Sequence, residues 1–373
     1  MHETEQLARF IADTTYDQLP AKVVKAAKIG ILDGVANLLA GSTQPLAATM
    51  NRYVEQMGGA PDCSVVGRGY KTNAFFAAFV NGVFLHCLDF EIQGAIPTHG
   101  TSACLPPALA LGEMNGASGK SLIAAYVVGW ELQARLRTAT VEADLRGFHP
   151  PGIFGPIGAV AASANVSGLD FNQVRMALGI AASHTGGLTA NTGTTVKATH
   201  PGSAARHGVE AALLASNGFI SNDSIIEARQ GYIDALFGGT CDRELLTRDL
   251  GTTFQLVQPG FNIKHYPAQI YMQWPIEAAL MVRRQHDFRL EDVAYVELEI
   301  PTGRGGSSRP NPASGLDGKF SFEYCAAVAL VEGQVNMASF SDATRSSPQV
   351  EAMLHKVRIK PNPAIPSDIG RTW

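Results

Sequence analysis

Apolar residues return at helical spacing through most of the first 217 positions, and nothing else in the chain recurs so persistently. In AKVVKAAKIGILDGVANLLA (21–40), Val24, Ala27, Ile31, Val35 and Leu38 share one helical face. Residues 72–88, 118–138, 152–167, 171–184 and 202–217 follow the same rule, several of them rich in Ala and Gly, as in IGAVAASANVSG at 157–168. Small residues let helices approach closely, so the pattern confines this region to a compact helical bundle. Gly168 and Gly218 stand where helix-ending glycines are expected. Charged residues make up 17% of the chain and apolar residues 46%, whereas an average soluble protein is roughly 25% charged. The imbalance points to a large buried interior, one that a subunit interface would extend.

The texture changes near residue 255. GFNIKHYPAQ is a turn-rich junction, and a helix is expected at 272–286. VAYVELEIP then alternates, with Val293, Tyr295, Glu297 and Glu299 on one face and Ala294, Val296, Leu298 and Ile300 on the other. A Gly/Ser/Pro loop, a helix at 320–333 and a strand-like HKVRIKPNP complete the chain. The fold class is therefore mainly α, with a large all-helical domain at 1–255 and a smaller α+β domain at 256–373. The ending IPSDIGRTW looks like a chain entering another strand, so this second domain is expected to be shortened at its C-terminus.

Composition excludes several function classes. Disorder of the whole chain needs more charge and less apolar content. A formal net charge of -4 and a pI near 6.2 show no basic face for nucleic acid. The five cysteines, Cys63, Cys87, Cys104, Cys241 and Cys325, form no C-x-x-C pair and no disulfide or iron-sulfur framework. The N-terminus lacks a signal-peptide pattern, and no apolar run approaches the ~18 residues of a membrane span. A cytoplasmic, globular protein with no membrane association is expected.

Two segments carry chemistry. In HCLDFEIQGAIPTHGTSACLPPALALGE (86–113) a loop brings Asp89 and His99 to the mouths of two apolar helices. A carboxylate beside an imidazole suits general acid/base work, although each could equally cap backbone groups. In NTGTTVKATHPGSAARHGVEAALLASNGF (191–219), Lys197, His200, Arg206 and His207 surround a helix expected to start near Gly202. Backbone N–H groups at such a start, with cations nearby, would hold carboxylates or phosphates. The alternative is a solvated basic cap. His149 lies in a Pro/Gly loop ahead of a small-residue helix, Lys264 at the domain junction, and Arg309 in the long loop where it could close over a cleft. No metal-ligand spacing, dinucleotide fingerprint or nucleophile elbow is found.

Taken together, LDFE with His99 ten residues after Asp89, GFHPPGIFGPIGAVAA, KATHPGSAARHGVEAALLA and KHYPAQ resemble the MmgE/PrpD family. The family includes 2-methylcitrate dehydratase, cis-aconitate decarboxylase and iminodisuccinate epimerase. The resemblance implies a large helical domain with a small α+β lid domain, a homodimer, and no metal or organic cofactor. It implies catalytic roles for Asp89, His99, His149, Lys197 and His200, and substrate binding by Lys264. Gln93, Gln269, Arg309 and Gly202 complete the expected substrate-binding set. Decarboxylase-like members carry Thr at the position of Gln93 and histidines where Gln269 and Gln273 stand. Gln cannot carry a proton near neutral pH, although it can hydrogen-bond a carboxylate. The expectation is therefore an enzyme that abstracts a proton beside a carboxylate of a small di- or tricarboxylate, a lyase like 2-methylcitrate dehydratase. The alternatives are an iminodisuccinate-type epimerase, a cis-aconitate decarboxylase, and a catalytically silent carboxylate-binding homologue.

Overall fold

The computed structural model describes residues 2–302 and 308–366. The expected C-terminal shortening concerns residues outside this set, as does part of the long Gly/Ser loop. The chain divides into two compact units. The first comprises Met1–Cys87, Glu91–Ala190 and Thr195–Asn262, and the second comprises Leu88–Phe90, Asn191–Thr194 and the chain from Ile263 onward.

The first unit is a bundle of helices: α1 Glu3–Asp13, α2 Ala21–Ser42, α3 Leu46–Met57, α4 Ala74–His86, α5 Gly100–Met114, α6 Gly119–Ala139, α7 Pro150–Ile153, α8 Gly155–Val166, α9 Phe171–Ala182 and α10 Val196–Ser216. Starts are set by side chains that accept otherwise orphaned N–H groups. Asn73 accepts from Phe76 N on α4, Ser118 from Ser121 N on α6, and Asp170 with Gln173 forms a capping box on α9. Each such cap is worth about 1 kcal/mol. Helices α4, α5 and α8 are buried almost all round, as expected for helices apolar on every face. Close crossings depend on glycine. A Cβ on Gly82 of α4 would come within 2.8 Å of Gly202 Cα on α10, and one on Gly129 of α6 within 2.7 Å of Gly158 O on α8.

One helix differs from expectation in a way that matters. The predicted start near Gly202 lies inside α10, which begins at Val196 and carries Pro201 in its interior. Gly202 is a helix-crossing residue, packed where any Cβ would strike Phe79 O and Val83. Its backbone is not an anion-binding helix start.

Two small sheets belong to the first unit. β1 (Cys63–Val65) pairs antiparallel with β2 (Tyr70–Thr72), and β3 (Gln93–Gly94) with β4 (Phe261–Asn262). The β3–β4 pairing, with Gln255 N donating to Glu131 Oε2 of α6 at 2.7 Å, keeps residues 255–262 in the bundle. The long C-terminal run of the second unit therefore begins at Ile263, whereas 256 was expected.

In the second unit, β5 (Val296–Pro301) runs parallel to β6 (Val357–Asn362), with Leu298 opposite Ile359. The expected alternation is visible: Glu297 and Glu299 are exposed, while Val296, Leu298 and Ile300 pack against the core. That core is built from the helices Gln273–Gln285, Phe322–Glu332 and Pro348–Leu354 around Ile276, Phe322, Val328 and Met353. Among the described residues no helix is long and apolar enough to cross a membrane.

Candidate active site

The first unit gathers four imidazoles, a lysine and a carboxylate in its interior. His86 ends α4, Glu91 lies in the following loop, His99 is the residue before α5, His149 precedes α7, and Lys197 and His200 lie on the first turns of α10. All six side chains are buried. Lys197 and His200 share a helical face because three residues make nearly one turn. Arg206, nine residues beyond Lys197, falls on the opposite side. Its guanidinium sits 4.7 Å from the Phe79 ring centroid, and His207 packs on His184. The expected four-residue basic cluster therefore divides into two.

Glu91 organises the first half of the site. Its Oε1 accepts from His86 Nδ1 at 2.6 Å and His99 Nδ1 at 3.1 Å, and its Oε2 from the backbone N of Ser102 at 2.8 Å. The two rings meet edge to face with centroids 4.5 Å apart. Lys197 Nζ donates to His86 Nε2 at 2.9 Å. In the second half, His149 Nδ1 and His200 Nδ1 lie 2.9 Å apart, so one of these nitrogens carries the hydrogen and the other the lone pair. The His149 ring is 6.2 Å from His86 and 6.4 Å from His99 between centroids. Gly187, at φ +120°, allows this packing, because a Cβ there would lie 3.0 Å from the His200 ring.

The electrostatics follow from burial and from one shared cation. Burial, then the charge of Lys197, push the His86 imidazole down to about 3. The same two causes, in the same order, hold His149 well below and His200 below the ordinary histidine range. These rings are neutral at pH 7 and face a lysine whose charge they do not share. His86, Glu91 and His99 also have ligand atoms close enough to hold a metal ion. A cation there would displace two hydrogens from Glu91 and confront the Lys197 ammonium. A second group of this kind, His184, His207 and Glu210, lies toward the surface.

The carboxylate on His99 Nδ1 is that of Glu91, whereas Asp89 was the acid expected beside it. Asp89 belongs to the second unit, with a left-handed φ of 51°, a conformation Asp tolerates better than most residues. Lys264 Nζ donates to both its carboxylate Oδ1, at 2.5 Å, and its backbone O, at 2.6 Å. Both side chains are buried. Lys319, which the sequence reading missed, donates to Leu88 O at 3.0 Å and Pro267 O at 2.6 Å. Arg309 pairs with Asp317 and donates to Thr192 O at 3.3 Å, an anchored rather than a free loop cation. Gln269 caps a short turn by accepting from Tyr271 N at 2.8 Å. Gln273 accepts from His265 N and Tyr266 N and donates to Tyr266 O and Ala268 O. Both amides thus serve the backbone. Gln93, on β3 in the first unit, is buried with its Oε1 unpaired.

His86 and Glu91 are the site residues that sequence reasoning missed. Both stood inside the quoted 86–113 segment, and the available signal was the i, i+5 and i, i+8 spacing of acid and imidazoles across one loop.

Comparison with known proteins gives the family. The MmgE/PrpD N-terminal domain matches residues 5–244 and the MmgE/PrpD C-terminal domain residues 266–373. The cis-aconitate decarboxylase of Mus musculus is 31% identical over 97% of this chain and 76% of its own length. That of Homo sapiens is 32% identical over 96% and 76%. A 2-methylcitrate dehydratase of Cupriavidus necator is 24% identical over 82% of this chain and 66% of its own. The matched residues and these relatives agree: the chain belongs to the MmgE/PrpD family.

Proposed function

We propose that this protein is a lyase acting on a small polycarboxylate, with cis-aconitate decarboxylation as its leading reaction. The observation that carries the reading is the Lys197 ammonium set among neutral, buried imidazoles, in a chain 31–32% identical to two cis-aconitate decarboxylases. Loss of carbon dioxide breaks a carbon–carbon bond and leaves its electron pair on the substrate. That pair is stabilised by a fixed positive charge and ends in a bond to hydrogen supplied by an acid. Lys197 is suited to the charge role, and a preorganised cation in a buried site is worth far more than in water. His99 has its Nδ1 held by Glu91. His149 and His200 share a hydrogen and can pass it on.

Sequence reasoning put 2-methylcitrate dehydration first. The relatives reverse that order, since the decarboxylases match more of the chain at higher identity than the dehydratase does. Dehydration stays as the second reading because of Gln93, whose buried amide stands where decarboxylase-like members were expected to carry Thr. The test is a paired assay of carbon dioxide release from cis-aconitate and alkene formation from 2-methylcitrate. The reading predicts that the first dominates. Faster alkene formation would overturn it in favour of dehydration.

A further inference from the structure

We infer that Glu91 and His86 are positioning residues that jointly set the hydrogen-bonding state of His99 and Lys197. The inference rests on the proposed site but makes a claim of its own. A carboxylate only accepts, so the nitrogens that face it carry hydrogen. Glu91 Oε1 faces Nδ1 of both His86 and His99. Both rings are therefore held with hydrogen on Nδ1, and in a neutral ring the lone pair is then on Nε2. For His86 that lone pair receives the Lys197 ammonium. The third acceptance, from Ser102 N at the start of α5, pins the carboxylate itself. The result is a continuous chain from backbone to Glu91, from Glu91 to His86 and His99, and from His86 to Lys197. Two of the groups assigned to the chemistry are thus oriented by one buried carboxylate.

The chain makes a specific demand of Glu91→Gln. The Ser102 N–H cannot reverse, so the amide oxygen must serve it and the amide NH₂ must face the imidazoles. Both rings then turn to the tautomer with hydrogen on Nε2, and the His86–Lys197 contact becomes donor against donor. The readout is nitrogen-15 NMR of histidine-labelled, ligand-free protein, which needs no substrate and stands whether or not the proposed reaction is correct. Wild-type His86 and His99 should both show hydrogen on Nδ1; hydrogen on Nε2 of either ring overturns the inference without any variant. In Glu91→Gln both should switch, and retention of the Nδ1 hydrogen on both rings overturns it as well. With cis-aconitate as probe, Glu91→Gln should lower kcat about 100-fold with little change in KM. Glu91→Asp, which keeps the carboxylate, should recover part of that loss. A rise in KM with kcat intact would assign Glu91 to substrate binding instead. Lys197→Ala serves as the separate control on the reaction: inactive wild type with the expected tautomers would fault the proposed reaction and leave the positioning claim standing.

Discussion

The two units each bury a lysine, and they treat it in opposite ways. In the second unit Lys264 is clamped by the carboxylate and carbonyl of Asp89, a charge pair that takes up two of its three hydrogens. In the first, Lys197 donates to the neutral ring of His86, behind which the carboxylate of Glu91 stands one residue further off. A lysine paired directly with a carboxylate has its charge answered within the fold. A lysine hydrogen-bonded to a neutral imidazole meets no opposite charge in that contact. On the proposed reading, the first cation fixes structure and the second takes part in chemistry.

The sharpest way to break this comparison is to remove each lysine. Lys264→Met leaves Asp89 buried without its cation and should cost about 3–5 kcal/mol of stability, measured by urea unfolding. Lys197→Ala should instead lower turnover of cis-aconitate by about 10²–10³-fold, with the unfolding midpoint shifted far less. If the two variants exchanged these phenotypes, the assignment of roles would be reversed.

Gln273→Leu probes the second unit's loop. Two N–H groups and two carbonyls lose their partner, so a loss of about 1–3 kcal/mol is expected in thermal or urea unfolding. An unchanged midpoint would show that the amide's four bonds are dispensable.

The last prediction concerns pH. His86 is held at about 3 when folded and titrates at about 6.5 when unfolded. As pH falls below about 6.5 the unfolded chain takes up a proton that the folded site refuses, so folding stability falls toward pH 3. His86→Gln removes that uptake and should flatten the slope of stability against pH between about 6.5 and 4. An unaltered slope would mean His86 is not held neutral by the fold.

The helical pattern and most of the cluster were legible in the sequence for a physical reason. His99, His149, Lys197 and His200 stand in Gly- and Pro-rich segments poor in other charges, so their chemistry is conspicuous. What could not be read was partnership. Asp89 lies ten residues before His99, yet its left-handed turn and a lysine 175 residues away claim its carboxylate. Glu91 looks like an ordinary loop acid until α4 and α5 bring three donors to it. Gly202 follows a proline, which normally marks a helix start, but α10 begins five residues before that proline, at Val196, and Gly202 packs against α4. Gln269 and Gln273 stand in the sequence as amides in place of proton carriers, and their side chains hydrogen-bond nearby backbone, a partnership that spacing alone does not reveal.

The central claim is that the first unit's lysine and imidazole cluster moves hydrogen to and from a carboxylate substrate. Its most direct test is incubation with cis-aconitate in heavy water, followed by proton NMR, with Lys197→Ala alongside. The account predicts carbon dioxide release with deuterium bound to carbon in the product, and loss of both in the variant. Ligand-induced thermal stabilisation with no exchange in the wild type would contradict it and mark a carboxylate-binding homologue.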